Sequence, residues 1–444
     1  MKARFVVKGF QEKLKTQSDS PTASRESLKL YLSIVANERW ELKSYDVRSA
    51  FLQSDTIERE IFIKPPPEKF KKGLVWKLQK PVYGLVDASR QWFFTIKNYL
   101  LSLGMSQSLG DSCLFYYRYD FKLEGMILVH VDDFLAAGSE IFEQSIMESL
   151  ISKFSFGTVS NKDFIYTGIS IKQNEEKIIF INQNQFSQSI PVHEYAKGEP
   201  DKELSETENS SIRKSVGQLN WLSSQTRPDL SYDAYFLSTC LNKATYSDAK
   251  YSTKVIQKSK KEKVQLKFAH LGFWKDLHIE LYVDASLGNM DVNGMTKSMM
   301  GYFLVLCDKN GDFSPIHWKS KVIDKVTPDI KTAETIALEI ALDDAIYMSK
   351  MISEIYTGNL DTFKIPIVIN EDSKSLVQSL SSTKKVKRKT MRLVISSIQQ
   401  SINDGTISDI FHVSTKDQLA DTFTKKGVKN DKLLKCLASG NLST

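Results

Sequence analysis

The sequence predicts an α+β chain whose second half is a mixed α/β domain, and three observations carry that expectation. Apolar strand-like runs are interleaved with helical stretches through the first half, the longest of them being "GMILVHVDDFLAAGS". In the second half three successive strands precede a long helix, after which strands and helices alternate. The composition is ordinarily globular, 41% hydrophobic and 25% charged, and 444 residues suffice for more than one buried core.

In chain order, "KARFVVKGF" (2–10) reads as a short strand with basic ends, broken by a polar segment over 17–24. A helix is expected over 24–40, with Ser24 able to cap it and Leu28, Tyr31, Leu32 and Val35 on one apolar face. Strand and turn follow over 41–54, then a strand in 60–70 stopped by Pro65, Pro66 and Pro67. Strand and turn come again over 75–85, and a helix over 87–104 ends at Gly104. "DSCLFYYRYD" and "GMILVHVDDFLAAGS" look like the two strands of a hairpin, and 177–186 holds another strand.

The polar stretch 197–211 suggests an exposed connection, and 211–241 a helix in two pieces interrupted by Pro228. A basic stretch, 254–267, leads into the strands of "HIELYVDASLG", "SMMGYFLVLCD" and "FSPIHWKSK". A helix over 332–356, the strand "IPIVINED", the basic segment 384–392, a helix, the strand "ISDIFHVS" and a last helix from about Lys416 complete the chain.

Composition excludes several classes. No run reaches the roughly 18 apolar residues of a membrane span. The N-terminus lacks the apolar core and cleavage site of a secretory signal. Four scattered cysteines form neither a CxxC nor a Cys/His pattern, which speaks against a disulfide scaffold or a zinc site. A net charge of +7 permits a polyanionic partner without demanding one.

The acids are more specific. Asp46 ends a strand in "SYDVRSAF", and Asp132-Asp133 sits at an apolar turn in "VHVDDF". Like charges beside a buried strand repel and lose solvation, and a divalent cation with oxygen ligands resolves the conflict. Alone, such a pair is also an ordinary solvated turn. Further on, Asp284 lies in "LYVDAS", Glu334 opens the helix "TAETIAL", Asp372 ends "VINED" and Asp421 begins the last helix in "QLADTFTKK". Taken singly these four read as caps and turn residues, and neighbouring Glu339, Asp343, Asp344 and Glu371 as solvated helix or turn acids.

Taken in order, the blocks "KARFVVKGFQE", "YDVRSAFLQSDTIEREIFIKPP", "VYGLVDASRQWF", "ILVHVDDFLAAGS" and "VGQLNWLSSQTRPDLSYDA" resemble the reverse transcriptase of copia-type LTR retrotransposons. "YVDAS", "AETIAL", "EDSKSL" and "LADTFTK" resemble the RNase H that follows it. The resemblance implies N-terminally truncated fingers and palm over 1–195, a thumb or connection over 196–270, an RNase H-like domain over 271–430 and a tail over 431–444. Earlier fingers strands, protease, integrase and Gag zinc knuckle of the family's polyprotein are expected to lie outside this sequence.

By the same resemblance Asp46, Asp132 and Asp133 are the polymerase's metal-binding acids, with Val47 lending a carbonyl. Phe51 is the aromatic gate under the incoming sugar, or a plain core aromatic. Gly84 lets backbone approach template or nucleotide, and Arg4 and Lys8 meet the triphosphate. Asp284, Glu334, Asp372 and Asp421 are the RNase H acids. The basic run Lys384, Lys385, Lys387, Arg388, Lys389 and Arg392 faces hybrid phosphates, or is a solvated or nuclear-localising stretch.

His130 replaces the family's usual Tyr, and "VDAS" (86–89) its frequent Lys-Gln-Ala-Pro. His130 is read as packed under the hairpin rather than as a ligand, since Mg²⁺ prefers oxygen. His412 is left without a role because a strand position suits a mobile histidine poorly. The implied cofactor is Mg²⁺, with Mn²⁺ as substitute. Implied partners are RNA template, DNA primer, RNA/DNA hybrid, dNTPs and other Pol and Gag products, in cytoplasmic virus-like particles with product reaching the nucleus. The alternatives are an inactive remnant that only binds nucleic acid, and an RNase H-only nuclease.

Overall fold

The computed structural model describes residues 5–12, 17–195, 199–292, 294–382, 388–428 and 430–444. The chain divides into two compact units, one of residues 1–31, 40–162 and 354–359, the other of 32–39, 163–353 and 360–444. Both mix helices with sheets, as the α+β expectation requires.

The first unit is built on a six-stranded sheet in the order Ser106–Gln107, Leu114–Tyr119, Lys122–His130, Asp133–Gly138, Lys43–Val47, Phe156–Asn161. All its pairings are antiparallel. Lys122–His130 is buried from Leu123 to Val129, which explains its nearly unbroken apolar run. Trp92, Ile96 and Leu100 of the helix Ala88–Ser102 share a core with Ile127, Val129, Phe134 and Phe142. Here the structure departs from the sequence reading: "GMILVHVDDFLAAGS" is itself a hairpin, reversed at Val131 with φ +57°. The strand expected over 2–10 is replaced, within its described part, by a short 3-10 turn, Gly9–Gln11. The segment bonds instead to a neighbouring loop, Val7 N–H to the Tyr83 carbonyl (2.8 Å) and Gly9 N–H to that of Gly84 (3.0 Å).

The second unit holds a four-stranded antiparallel sheet, Leu266–Phe268, Ile179–Asn182, Ile169–Gln173, Asp163–Tyr166. Helices Glu206–Gln225, Ser231–Cys240 and Tyr246–Lys261 share their own apolar core, centred on Ile212, Leu219, Leu237 and Ile256. The first of these begins inside the expected connection because Ser205 and Glu208 form a reciprocal capping box. A second box, Thr245 with Asp248, starts the helix whose last turn carries Lys258, Lys260 and Lys261. Much of the basic stretch is therefore a helix end that complements its own dipole. Buried Arg227 ties these pieces together: its guanidinium pairs with Asp229 (2.8 Å) and donates to the carbonyls of Ser259 and Glu262 at that helix end.

The unit's five-stranded sheet runs Phe313–Val322, Met295–Cys307, His278–Val292, Ile367–Glu371, Ile407–His412, antiparallel among the first three and parallel thereafter. Tyr282 is level with Asn370 in the parallel pair. Two residues further along each chain, Asp284 and Asp372 therefore reach the same end of the sheet. The last helix is displaced from the expected position: Asp421 lies in a 3-10 turn, Leu419–Phe423, and the α-helix is Asp431–Ser439.

Two candidate active sites

In the first unit, sheet order sets the acids together. The strand Lys43–Val47 pairs with Asp133–Gly138 so that Asp46 stands opposite Asp133, and Val47 N–H donates to the Asp132 carbonyl (2.9 Å). The turn between the hairpin strands is held in a left-handed conformation at Val131, costly for a β-branched residue. The indole N–H of fully buried Trp92 donates to the Val131 carbonyl at 2.7 Å. Desolvation, then Asp132 and Asp46, push the half-buried Asp133 carboxyl up to about 6. Gly157 leaves the space beside Asp46 open, since a Cβ there would lie 2.8 Å from its carboxylate.

A cavity of about 660 Å³ opens on Asp46, Val47, Asp132 and Tyr83. Phe51 is not on its wall: it is buried, packed on Tyr83 with ring centroids 4.6 Å apart. The aromatics that reach the cavity are Tyr83 and Phe5. Gly84 has φ +92°, and a Cβ on it would collide with the Val7 carbonyl, so the crossing segment alone demands glycine. Lys8 is exposed, and Arg4 lies outside the described residues. Burial lowers the His130 pKa, which leaves the imidazole neutral at pH 7. Asp87 of "VDAS" accepts from Arg59 (2.6 Å), which also pairs with Glu12.

In the second unit, Asp284, Glu334 and Asp372 each bring a carboxylate oxygen within 4.8 Å of the others, the one such acidic group among the described residues. Asp284 is on the central strand and Glu334 on the helix Ile330–Thr357, both buried; Asp372 follows the strand Ile367–Glu371. Burial and mutual repulsion raise Asp284 to about 7 and Glu334 to about 10. The Glu334 and Glu371 Oε2 atoms are buried without a hydrogen-bond partner. Hard carboxylate oxygens that are buried, crowded and unsatisfied fit an oxygen-seeking divalent cation.

Glu371 corrects an expectation: it is no solvated acid but fully buried, with Oε1 accepting from Ser373 N–H (3.0 Å). Asp344 too is engaged: against the opposing effect of burial, His317, then Tyr302, which donates to it, and Lys319 at 3.5 Å hold it at about 2. Asp421 stays outside the tight trio and pairs with Lys425, whose ammonium lies 3.6 Å from Asp284. Thr424 also donates to Asp284. Sequence reasoning passed over Thr424 and Lys425, although both stand within one helical turn of Asp421. The exposed His412 ring lies 3.1 Å from the Asp372 carbonyl, and Thr415 donates to the Asp372 carboxylate (3.1 Å). Of the basic run, Lys384, Lys385 and Lys387 lie outside the described residues; Arg388, Lys389 and Arg392 are exposed, and Arg388 lies 3.4 Å from Asp329.

Residues 1–196 match the family described as reverse transcriptase (RNA-dependent DNA polymerase). Over 96% of its length the chain is 25% identical to the Retrovirus-related Pol polyprotein from transposon RE1 of Arabidopsis thaliana, covering 29% of that protein. Over 97% it is 25% identical to the corresponding polyprotein from transposon TNT 1-94 of Nicotiana tabacum, covering 33%. The chain thus spans about a third or less of these curated relatives. LC11-RNase H1, solved in complex with RNA/DNA hybrid, aligns at 20% identity and a TM-score of 0.26 over 35% of this chain and 99% of its own. The reverse transcriptase family match thus covers the first 196 residues, and the crowded acidic trio lies beyond it, in the five-stranded mixed α/β part of the chain. Over nearly its whole length the chain is similar to Pol polyproteins of retrotransposons.

Proposed function

We propose that this chain copies retrotransposon RNA into DNA at Asp46, Asp132 and Asp133, and cuts the RNA of the hybrid at Asp284, Glu334, Asp372 and Asp421. The observation that carries the reading is the presence of two separate acidic sets, one of them a trio crowded within 4.8 Å in which the Glu334 Oε2 atom is buried without a partner. Mg²⁺, or Mn²⁺ in its place, would supply charge stabilisation for in-line phosphoryl displacement at each set. Asp46 and Asp133, paired across neighbouring strands, and Asp132 on the turn face the dNTP and the primer end across the cavity at Tyr83. Asp284, Glu334 and Asp372 face the scissile phosphate of the hybrid. Domain limits near 195, 270 and 430, the phosphate-facing role of Arg388, Lys389 and Arg392, a cytoplasmic particle shared with other Pol and Gag products, and transit of DNA to the nucleus belong to the same proposal.

The purified chain, given a DNA primer on an end-labelled RNA template with Mg²⁺ and dNTPs, is expected to extend the primer and cut the template, and to do neither in EDTA. Cutting without extension supports the second reading, a nuclease alone, which the looser packing of Asp46, Asp132 and Asp133 favours. Absence of both leaves a nucleic-acid-binding remnant.

A further inference from the structure

Asp284 has almost no solvent to balance its charge, and its carboxylate faces Thr424 and the ammonium of Lys425. The same ammonium pairs with Asp421. A single lysine thus sits between the first and last acids of the set, where it supplies a positive charge that the tight trio otherwise lacks. Lys425 also lines a cavity of about 160 Å³ with Asp229, Asp233, Tyr251, Lys254 and Lys258. Its side chain is 38% exposed, so a flexible four-carbon stem has room to carry the ammonium elsewhere.

We propose that Lys425 is a built-in counter-cation of the RNase H-like site: its ammonium holds Asp284 and Asp421 when no divalent ion is bound, and swings toward the adjoining cavity when one enters. The inference rests on the reading of this site as a metal site. Lysine bonding as a point charge suits such exchange, because the contact is not locked by a planar fork. Holding the charge internally limits repulsion in the metal-free fold and weakens metal binding by the same interaction, since the incoming ion must displace it. Lys425 is therefore a positioning residue that sets the metal threshold rather than a ligand.

The test is Mn²⁺ binding to the full chain, followed by electron paramagnetic resonance, beside thermal unfolding in EDTA. Lys425→Met is expected to tighten the Glu334-dependent Mn²⁺ binding about tenfold, equivalent to roughly 1.4 kcal/mol, and to lower the melting temperature in EDTA but not in saturating Mn²⁺. Lys426→Met serves as the charge control: Lys426 lies 3.9 Å over the Tyr251 ring, and its loss should leave Mn²⁺ affinity unchanged. Equal affinities for Lys425→Met and the unmodified chain, or equal tightening by Lys426→Met, would overturn the proposal. Should Glu334→Gln bind Mn²⁺ as the unmodified chain does, the underlying metal-site reading fails instead.

Discussion

The indole N–H of Trp92 donates a 2.7 Å hydrogen bond to the carbonyl of Val131, the residue whose left-handed backbone turns the chain into Asp132 and Asp133. A helix thereby fixes the geometry of a strained acidic turn from beneath. Trp92→Phe keeps an aromatic ring but loses the donor, at about 1 kcal/mol for the bond plus some packing. Primer extension should slow several-fold while hybrid cutting by the same molecules is unchanged. Equal loss of both activities would mean that Trp92 supports the fold generally.

Glu334 is buried among acids, and its proton is held far more tightly in the folded than in the unfolded chain. A carboxyl with a raised folded pKa contributes stability that is complete below its unfolded value and is lost as pH climbs through the folded one. For Asp284 that window runs from 3.8 to about 7, and for Glu334 from 4.5 to about 10. The metal-free chain should therefore melt at lower temperature at pH 8 than at pH 5, and Mg²⁺ should flatten the difference. Calorimetry across pH, with and without EDTA, checks this.

Glu334→Gln follows from the same repulsion. The substitution should stabilise the metal-free chain at pH 8 by about 1–3 kcal/mol and abolish hybrid cutting. Destabilisation at that pH would show that Glu334 is compensated in a way its orphaned Oε2 does not suggest.

Arg227→Ala would strand buried Asp229 and release the Ser259 and Glu262 carbonyls at a helix end. Breaking a buried pair from one side costs about 3–5 kcal/mol. Denaturant unfolding should register a loss of this size, whereas exposed Arg213→Ala, whose guanidinium donates to the Leu241 carbonyl at 3.0 Å, should cost far less.

Much of this was legible before the structure because its cues are local. Pro65–Pro67, Gly104 and Pro228 end elements where their backbones dictate, and the acids of both sites fall within recognisable blocks. What the sequence concealed depends on pairing in space. The turn expected at Asp132-Asp133 is present, but its reversal at Val131 uses a backbone that valine seldom adopts, so the sequence did not show that both halves of this block are strands paired with each other. Phe51 is turned away from the cavity, whose aromatic lining is Tyr83 and Phe5, because burial of a short helical turn, not spacing from Asp46, decides which ring faces outward. Glu371 is buried through sheet order, which brings an edge strand over it in parallel register with His412. Its neighbour Asp372, one residue on, is the one whose carboxylate joins Asp284 and Glu334 within 4.8 Å. The helices starting at Glu206 and Tyr246 are a different case: their capping boxes were readable as Ser-x-x-Glu and Thr-x-x-Asp.

The central claim is that one chain carries two separable acidic sites. It is tested most directly on a single gel, with a DNA primer on an end-labelled RNA template, Mg²⁺ and dNTPs, comparing the unmodified chain with Asp132→Asn and Asp372→Asn. The account predicts that Asp132→Asn loses extension and keeps template cutting, and that Asp372→Asn does the reverse. Retention of both activities in either variant, or loss of both from one substitution in a chain that still folds, would contradict it.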